Sequence, residues 1–196
     1  MKIEPEQIEI VIAHRSEEIR QCVSDLVAEM GFQLRSICSS TKQLLETGTP
    51  TPPDLIISGI ELDDGEAIHA LIAISHLDPT PAIVITPKES LLDVEKALKD
   101  HVMAYLVEPI DTDQIKPTIY LVLERFQQFE SLKEENRDLK QALEDRKTIE
   151  KAKGILMGKM ELNESEAFRE LQKQASAKRI KLVKHAAEMI AEENAS

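Results

Sequence analysis

Residues 111–160 read DTDQIKPTIYLVLERFQQFESLKEENRDLKQALEDRKTIEKAKGILMGKM, and the pattern predicts one long helix. Glycine is absent before Gly154, and the one proline, Pro117, falls near the start, where a missing N–H costs least. Such a helix would reach roughly 70 Å, well beyond a single small domain. A heptad seam runs through its centre, with Val122, Phe129, Asn136 and Leu143 at a positions and Leu132 and Leu139 at d. Arg125 and Arg146 take the outer d positions, so the clean seam is short. An asparagine at a fixes register and favours a parallel two-stranded coil. Residues 112–124 read as a helix docked on its own domain. From Ser131 to Asp145 the apolar stripe is too narrow for a globular face. That predicts a dimer seam of Phe129, Leu132, Asn136, Leu139 and Leu143.

Upstream of this helix, short apolar runs alternate with helical patterns. Ile8–Ala13 (IEIVIA) reads as a strand, and Ser16 caps a helix whose face is Ile19, Val23, Leu26, Val27 and Met30. Gly31 stops it. Phe32–Cys38 is a second strand and Thr41–Glu46 a short helix. After a proline-rich stretch, Asp54–Ile60 (DLIISGI) suits a strand buried on both faces. Asp64–Gly65 marks a turn, and a helix runs through His76. Ala82–Thr86, a helix over Leu91–Lys99, and Val102–Val107 complete the series. The expectation is an α/β fold, with a five-stranded parallel doubly wound sheet over residues 1–125. A coiled-coil linker over 126–145 and a small three-helix bundle over 146–196 follow it.

Composition narrows the function. The chain has 196 residues, 31% charged and 3% aromatic, with no Trp, which argues against an aromatic base-stacking platform. The net charge is −12, spread unevenly. Residues 146–196 hold 11 basic and 8 acidic side chains, a net of +3, which leaves −15 for residues 1–145. An acidic domain joined to a mildly basic tail domain is a recognisable asymmetry, though charge alone argues little, because charged helix faces are usually just solvated. Cys22 and Cys38 read as small buried hydrophobes, and His69, His76, His101 and His185 are scattered without ligand spacing. No metal site, cofactor or nucleophile–base pair is expected, and so no enzyme. MKIEPEQIEI lacks the apolar core of a signal peptide, and no run is long enough to span a bilayer. The expected location is cytoplasmic.

Ligands of doubly wound folds sit at the carboxyl ends of the strands, here at His14, Arg15, Gly59, Thr86 and Glu108. The surrounding segments, PDLIISGIELDDG, PAIVITP and YLVEPID, resemble the receiver domain of bacterial two-component response regulators over about residues 7–125. The resemblance implies an acidic pair after the first strand for Mg²⁺, a phosphoacceptor aspartate after the third, and a lysine near the end of the fifth. Here those places hold His14 and Arg15, Gly59, and Glu108, whereas the switch positions Thr86 and Tyr105 match. Magnesium needs hard oxygen ligands and an aspartyl phosphate needs a carboxylate, so this pocket is not expected to be phosphorylated. Asp63 and Asp64 lie in the next loop and are not nucleophiles in this reading. The pocket reads as a solvated remnant without a ligand; an internal ion pair among His14, Arg15 and Glu108, a small ligand, or a partner's contact surface are the alternatives.

Downstream, Ile149, Ala152, Ile155 and Leu156 share a helix face. Asn163 and Glu166 form a capping box for a second helix with Ala167, Phe168 and Leu171 inward. A third helix carries Leu182, Val183, Ala186, Ala187, Met189 and Ile190 as its core positions. RKTIEKAKGILM, NESEAFRELQKQAS and LVKHAAEMI resemble the ANTAR domain, the AmiR/NasR-type transcription antitermination regulator, over about residues 134–192. That resemblance implies binding to paired hairpin loops in nascent messenger RNA, which prevents a terminator from forming. Arg146 and Lys153 lie inside the matching motif. Lys147, Lys151, Lys178, Arg179, Lys181 and Lys184 are added on electrostatics, as cations that reach phosphates. The implied partners are structured mRNA, a second copy through the coil, and a regulatory protein on the receiver-like domain; no membrane is implied. Two rival readings remain. One is a DNA-binding factor imitating a helix-turn-helix, against which stands the lack of a short glycine-bearing turn. The other is an interaction or dimerisation module that binds no nucleic acid.

Overall fold

The computed structural model describes residues 4–87 and 102–194. They fall into two compact units, 1–129 and 130–196. The first unit is a parallel sheet of β1 (Glu9–Ala13), β2 (Gln33–Cys38), β3 (Leu55–Gly59), β6 (Ala82–Pro87) and β7 (Val102–Glu108), in the order β2-β1-β3-β6-β7. Every residue of β3 is buried, as in a strand covered on both faces. The helices are α1 (Glu17–Glu29), α2 (Thr41–Gly48), α3 (Ile68–Leu77) and α4 (Thr112–Met160). The sequence-predicted helix over Leu91–Lys99, and His101, lie outside the described residues.

Alternation along the strands builds two cores. Ile10, Ile12, Leu55, Ile57, Ile83 and Ile85 meet Val23 and Val27 of α1 and Ile115, Ile119 and Val122 of α4. Val11, Ala13, Ile56 and Val84 meet Leu44 of α2 and Ala70, Leu71 and Ile74 of α3. Ser16 caps α1, its Oγ accepting from the Ile19 N–H at 3.4 Å, and Gly31 takes the positive φ of 80° beyond the helix. Cys38 is buried, but Cys22 is only half-buried.

Two local features depart from the sequence reading. A two-stranded antiparallel hairpin, β4 (Glu61–Leu62) with β5 (Gly65–Glu66), precedes α3. Pro117 lies in the second turn of α4, so its missing N–H leaves the Asp113 carbonyl without its helical partner. Both residues are exposed, which hands that carbonyl to water.

Helix α4 runs for 49 residues. Its opening turns bury Ile115, Ile119, Val122 and Leu123 in the first unit. Residues 131–144 are exposed all round, and Phe129, Leu132, Leu139 and Leu143 are among the largest exposed apolar side chains, with Asn136 exposed among them. In the second unit the end of α4 packs with α5 (Glu164–Lys178) and α6 (Leu182–Asn194) around Ala152, Leu156, Ala167, Leu171 and Ala186. The capping box is formed: Asn163 Oδ1 accepts from the Glu166 N–H, and Glu166 Oε2 accepts from the Asn163 N–H, both at 3.0 Å.

Candidate functional site

The order β2-β1-β3 places a topological switch between β1 and β3, and both strands end at one recess. The recess is lined by His14, Arg15, Ile60, Glu61, Ile85, Pro87 and Glu108. It encloses about 10 Å³, room for one water and no more. The His14 ring accounts for this. A Cβ built on Gly59 would stand 2.5 Å from His14 Cδ2 and 3.0 Å from Nε2, so the imidazole occupies the place of a side chain at position 59.

Hydrogen bonds fix the ring. Nδ1 accepts the backbone N–H of Ser16 at 3.0 Å, which puts the proton of the neutral ring on Nε2, 3.3 Å from a Glu108 carboxylate oxygen. His14 is buried and Glu108 partly so. Burial lowers the His14 pKa below its ordinary value, against the opposing pull of Glu108. Arg15 turns outward and pairs instead with Glu61 at 2.6 Å, so the expected three-residue cluster is a His14–Glu108 contact beside a separate exposed pair. Arg20 of α1, not singled out from sequence, donates to the carbonyls of both His14 and Arg15 and braces the turn after β1.

Thr86 is fully buried and its Oγ donates to the Pro87 carbonyl at 3.2 Å. Tyr105 is half-buried against the core on the α2 and α3 side. Asp64 has a structural task, accepting the N–H groups of Thr41 and Lys42 at the start of α2, which holds its carboxyl below the usual range.

In the second unit the basic residues divide. Lys153 is buried, and its Nζ donates to Glu150 at 2.9 Å and to Glu164 at 2.8 Å. These two bonds raise its pKa, and the ammonium stands 6.0 Å from the Phe168 ring. A phosphate contact needs an open cation, so Lys153 leaves the candidate set; it ties α4 to the start of α5. Lys147 is paired with Glu144 at 2.7 Å and Lys178 with Glu188 at 3.8 Å, both at the surface. Arg146, Lys151, Arg179, Lys181 and Lys184 are exposed and have no carboxylate partner among the described residues. Spacing alone makes Glu144, three before Lys147, and Glu150, three before Lys153, legible as partners, but not Glu164 or Glu188.

The turn between α5 and α6 bears on the helix-turn-helix rival. Only Arg179, Ile180 and Lys181 separate the helices, and Arg179 adopts the left-handed conformation, φ 54°, that glycine usually supplies. A short turn is therefore present without a glycine.

The response regulator receiver domain family matches residues 10–120, and the ANTAR domain family matches residues 137–190. The chain belongs to the ANTAR-type response regulators. This ANTAR response regulator is 30% identical to the transcriptional regulatory protein PdtaR of Mycobacterium tuberculosis, over 93% of its own length and 89% of that protein. Its first unit is similar in fold to the receiver domain of AraT from Geobacillus stearothermophilus, at TM-score 0.57 and 17% identity, covering 63% of this chain and 98% of that one. The anti-anti-sigma factor PhyR of Bartonella quintana is similar at TM-score 0.53 and 21% identity, covering 63% of this chain; the response regulator spans half the length of that protein, 50%. These families are regulatory rather than enzymatic. No helix among the described residues is long and apolar enough to cross a membrane.

Proposed function

We propose that this response regulator is an RNA-binding antitermination regulator, which holds hairpin loops in nascent mRNA and lets transcription read past a terminator. The observation that carries the reading is the ANTAR match over 137–190, on a unit whose exposed Arg146, Lys151, Arg179, Lys181 and Lys184 are unpaired among the described residues. Open cations of this kind neutralise backbone phosphates, and hairpin loops offer unstacked bases beside them. The seam Phe129, Leu132, Asn136, Leu139 and Leu143 would join two copies, presenting two binding units to a paired-hairpin target.

Control passes through the receiver-like domain by a docking partner, or a ligand, rather than by phosphorylation. In support, Gly59 offers no nucleophile, Glu108 stands where a cation is needed, and His14 fills the recess. Acetyl phosphate or beryllofluoride with Mg²⁺ should leave the protein unmodified; stoichiometric labelling would refute this part.

The deciding measurement is equilibrium binding to a two-hairpin RNA across a salt series, beside a loop-scrambled control. Tighter binding to the intact loops is expected. The three-residue turn between α5 and α6 favours one second reading, duplex DNA binding through α6, because such turns join the helices of a helix-turn-helix. Duplex DNA is therefore the third arm, and preference for it would replace the RNA reading.

A further inference from the structure

Between α4 and α6 lies an open groove of about 330 Å³, the size of a small-ligand site. One wall is Lys147, Thr148 and Lys151, which share a face of α4; the other is Ala187 and Ile190, one turn apart on α6. The Thr148 hydroxyl donates to the Glu144 carbonyl at 2.9 Å, so its proton is committed and the groove has a largely apolar floor under a cationic rim. Lys151 has no carboxylate partner among the described residues. Lys147 is held by Glu144 in a pair whose two side chains are 62% and 64% exposed, a contact weak enough to exchange for a phosphate.

We propose that this groove receives one unpaired nucleobase of a hairpin loop, with the base against Ala187 and Ile190 and its flanking phosphate between Lys147 and Lys151. The assignment rests on the RNA reading above and adds where loop identity is sensed. Charge selects the occupant: no carboxylate lines the groove, and the rim belongs to the net-positive part of an otherwise acidic chain. Size selects a single base, since two apolar residues are too few for a partner helix, which needs anchors over two or more turns. Duplex bases are stacked and paired away from such a surface, so the groove would discriminate for looped nucleotides.

The test uses the full chain with intact and loop-scrambled hairpin RNA across a salt series. Ala187 is exposed, so Ala187→Phe fills the groove without entering the core. It should weaken binding to intact loops by about tenfold, leave the scrambled RNA unchanged, and keep the salt slope. Lys151→Ala should weaken both RNAs alike, with a slope shallower by about 0.7–0.9, and Lys151→Arg should restore it. On the unaltered protein, 4-thiouridine in the loop should cross-link to residues 147–151 or 187–190. If the unaltered protein prefers intact loops while Ala187→Phe keeps that preference and cross-links map elsewhere, the groove assignment falls and the RNA reading stands. If the unaltered protein shows no loop preference, both fall.

Discussion

At the scale of single residues, His14 and Gly59 are one substitution in two parts. An imidazole at the end of β1 and an absent side chain at the end of β3 fit together, because anything beyond hydrogen at position 59 meets the ring at 2.5 Å. Gly59→Ala should therefore cost about 1–3 kcal/mol by overpacking. In a His14→Ala background the same change should cost little. Denaturant unfolding of the four-member cycle measures the coupling, and additive effects would show that the ring can move aside. The buried ring also makes a pH prediction. Its folded-state pKa lies below the ordinary 6.5, so the unfolded chain takes up a proton first as pH falls. The His14 contribution is complete above about pH 6.5 and is lost as pH drops from there towards the lowered folded value. Thermal stability of the receiver-like unit should decline over that window, and His14→Gln should flatten the decline; an unchanged slope would place its origin elsewhere.

At the scale of elements, Lys153 joins two helices. Its ammonium bridges Glu150 on α4 and Glu164 in the first turn of α5, and the bridge depresses the Glu164 carboxyl. Lys153→Ala should lower the melting temperature of the C-terminal unit while leaving RNA affinity near wild type below that temperature. The loss should shrink in acid, as pH falls through the lowered Glu164 value and the partner is neutralised. A large affinity loss with an unchanged melting temperature would return Lys153 to the interface. The strands and most helices were legible in the sequence because their apolar periods are 2 and 3.6 and their caps are local, as with Ser16 and Asn163. The β4–β5 hairpin has two-residue strands, too short for a period to register. The α5–α6 break is legible between Lys178 and Leu182, but its left-handed conformation is not, because Arg179 rather than glycine adopts the positive φ. Lys153 joins the RNA-binding set on its place in the motif that carries the ANTAR resemblance, which says nothing of burial, and its burial depends on Glu164, eleven residues away. The groove was invisible for the same reason: Ala187 and Ile190 were read as core positions, and only packing shows which of their faces stay open beside Lys151.

At the scale of the whole molecule, two cores of unequal size share one helix. The receiver-like unit buries apolar side chains on both faces of a five-stranded sheet. Among the described residues, the cluster of the C-terminal unit, 130–196, holds five buried hydrophobic residues, a small core for a chain segment of that length. Along the middle of α4, Phe129, Leu132, Leu139 and Leu143 are more than half exposed. Pairing two copies along that seam would bury them and supply what the bundle lacks. Calorimetry should therefore show two unfolding transitions. The one belonging to the C-terminal unit should rise with protein concentration, because a partner that binds only the folded state stabilises by mass action. The receiver-like transition should respond to pH through His14 instead. Asn136→Leu should raise the concentration-dependent transition further and loosen the preference for two strands, since a buried asparagine trades stability for register. Sedimentation would then detect trimers or larger species beside dimers. A C-terminal transition independent of concentration in both proteins would mean that the bundle stands alone, and that the seam has another occupant.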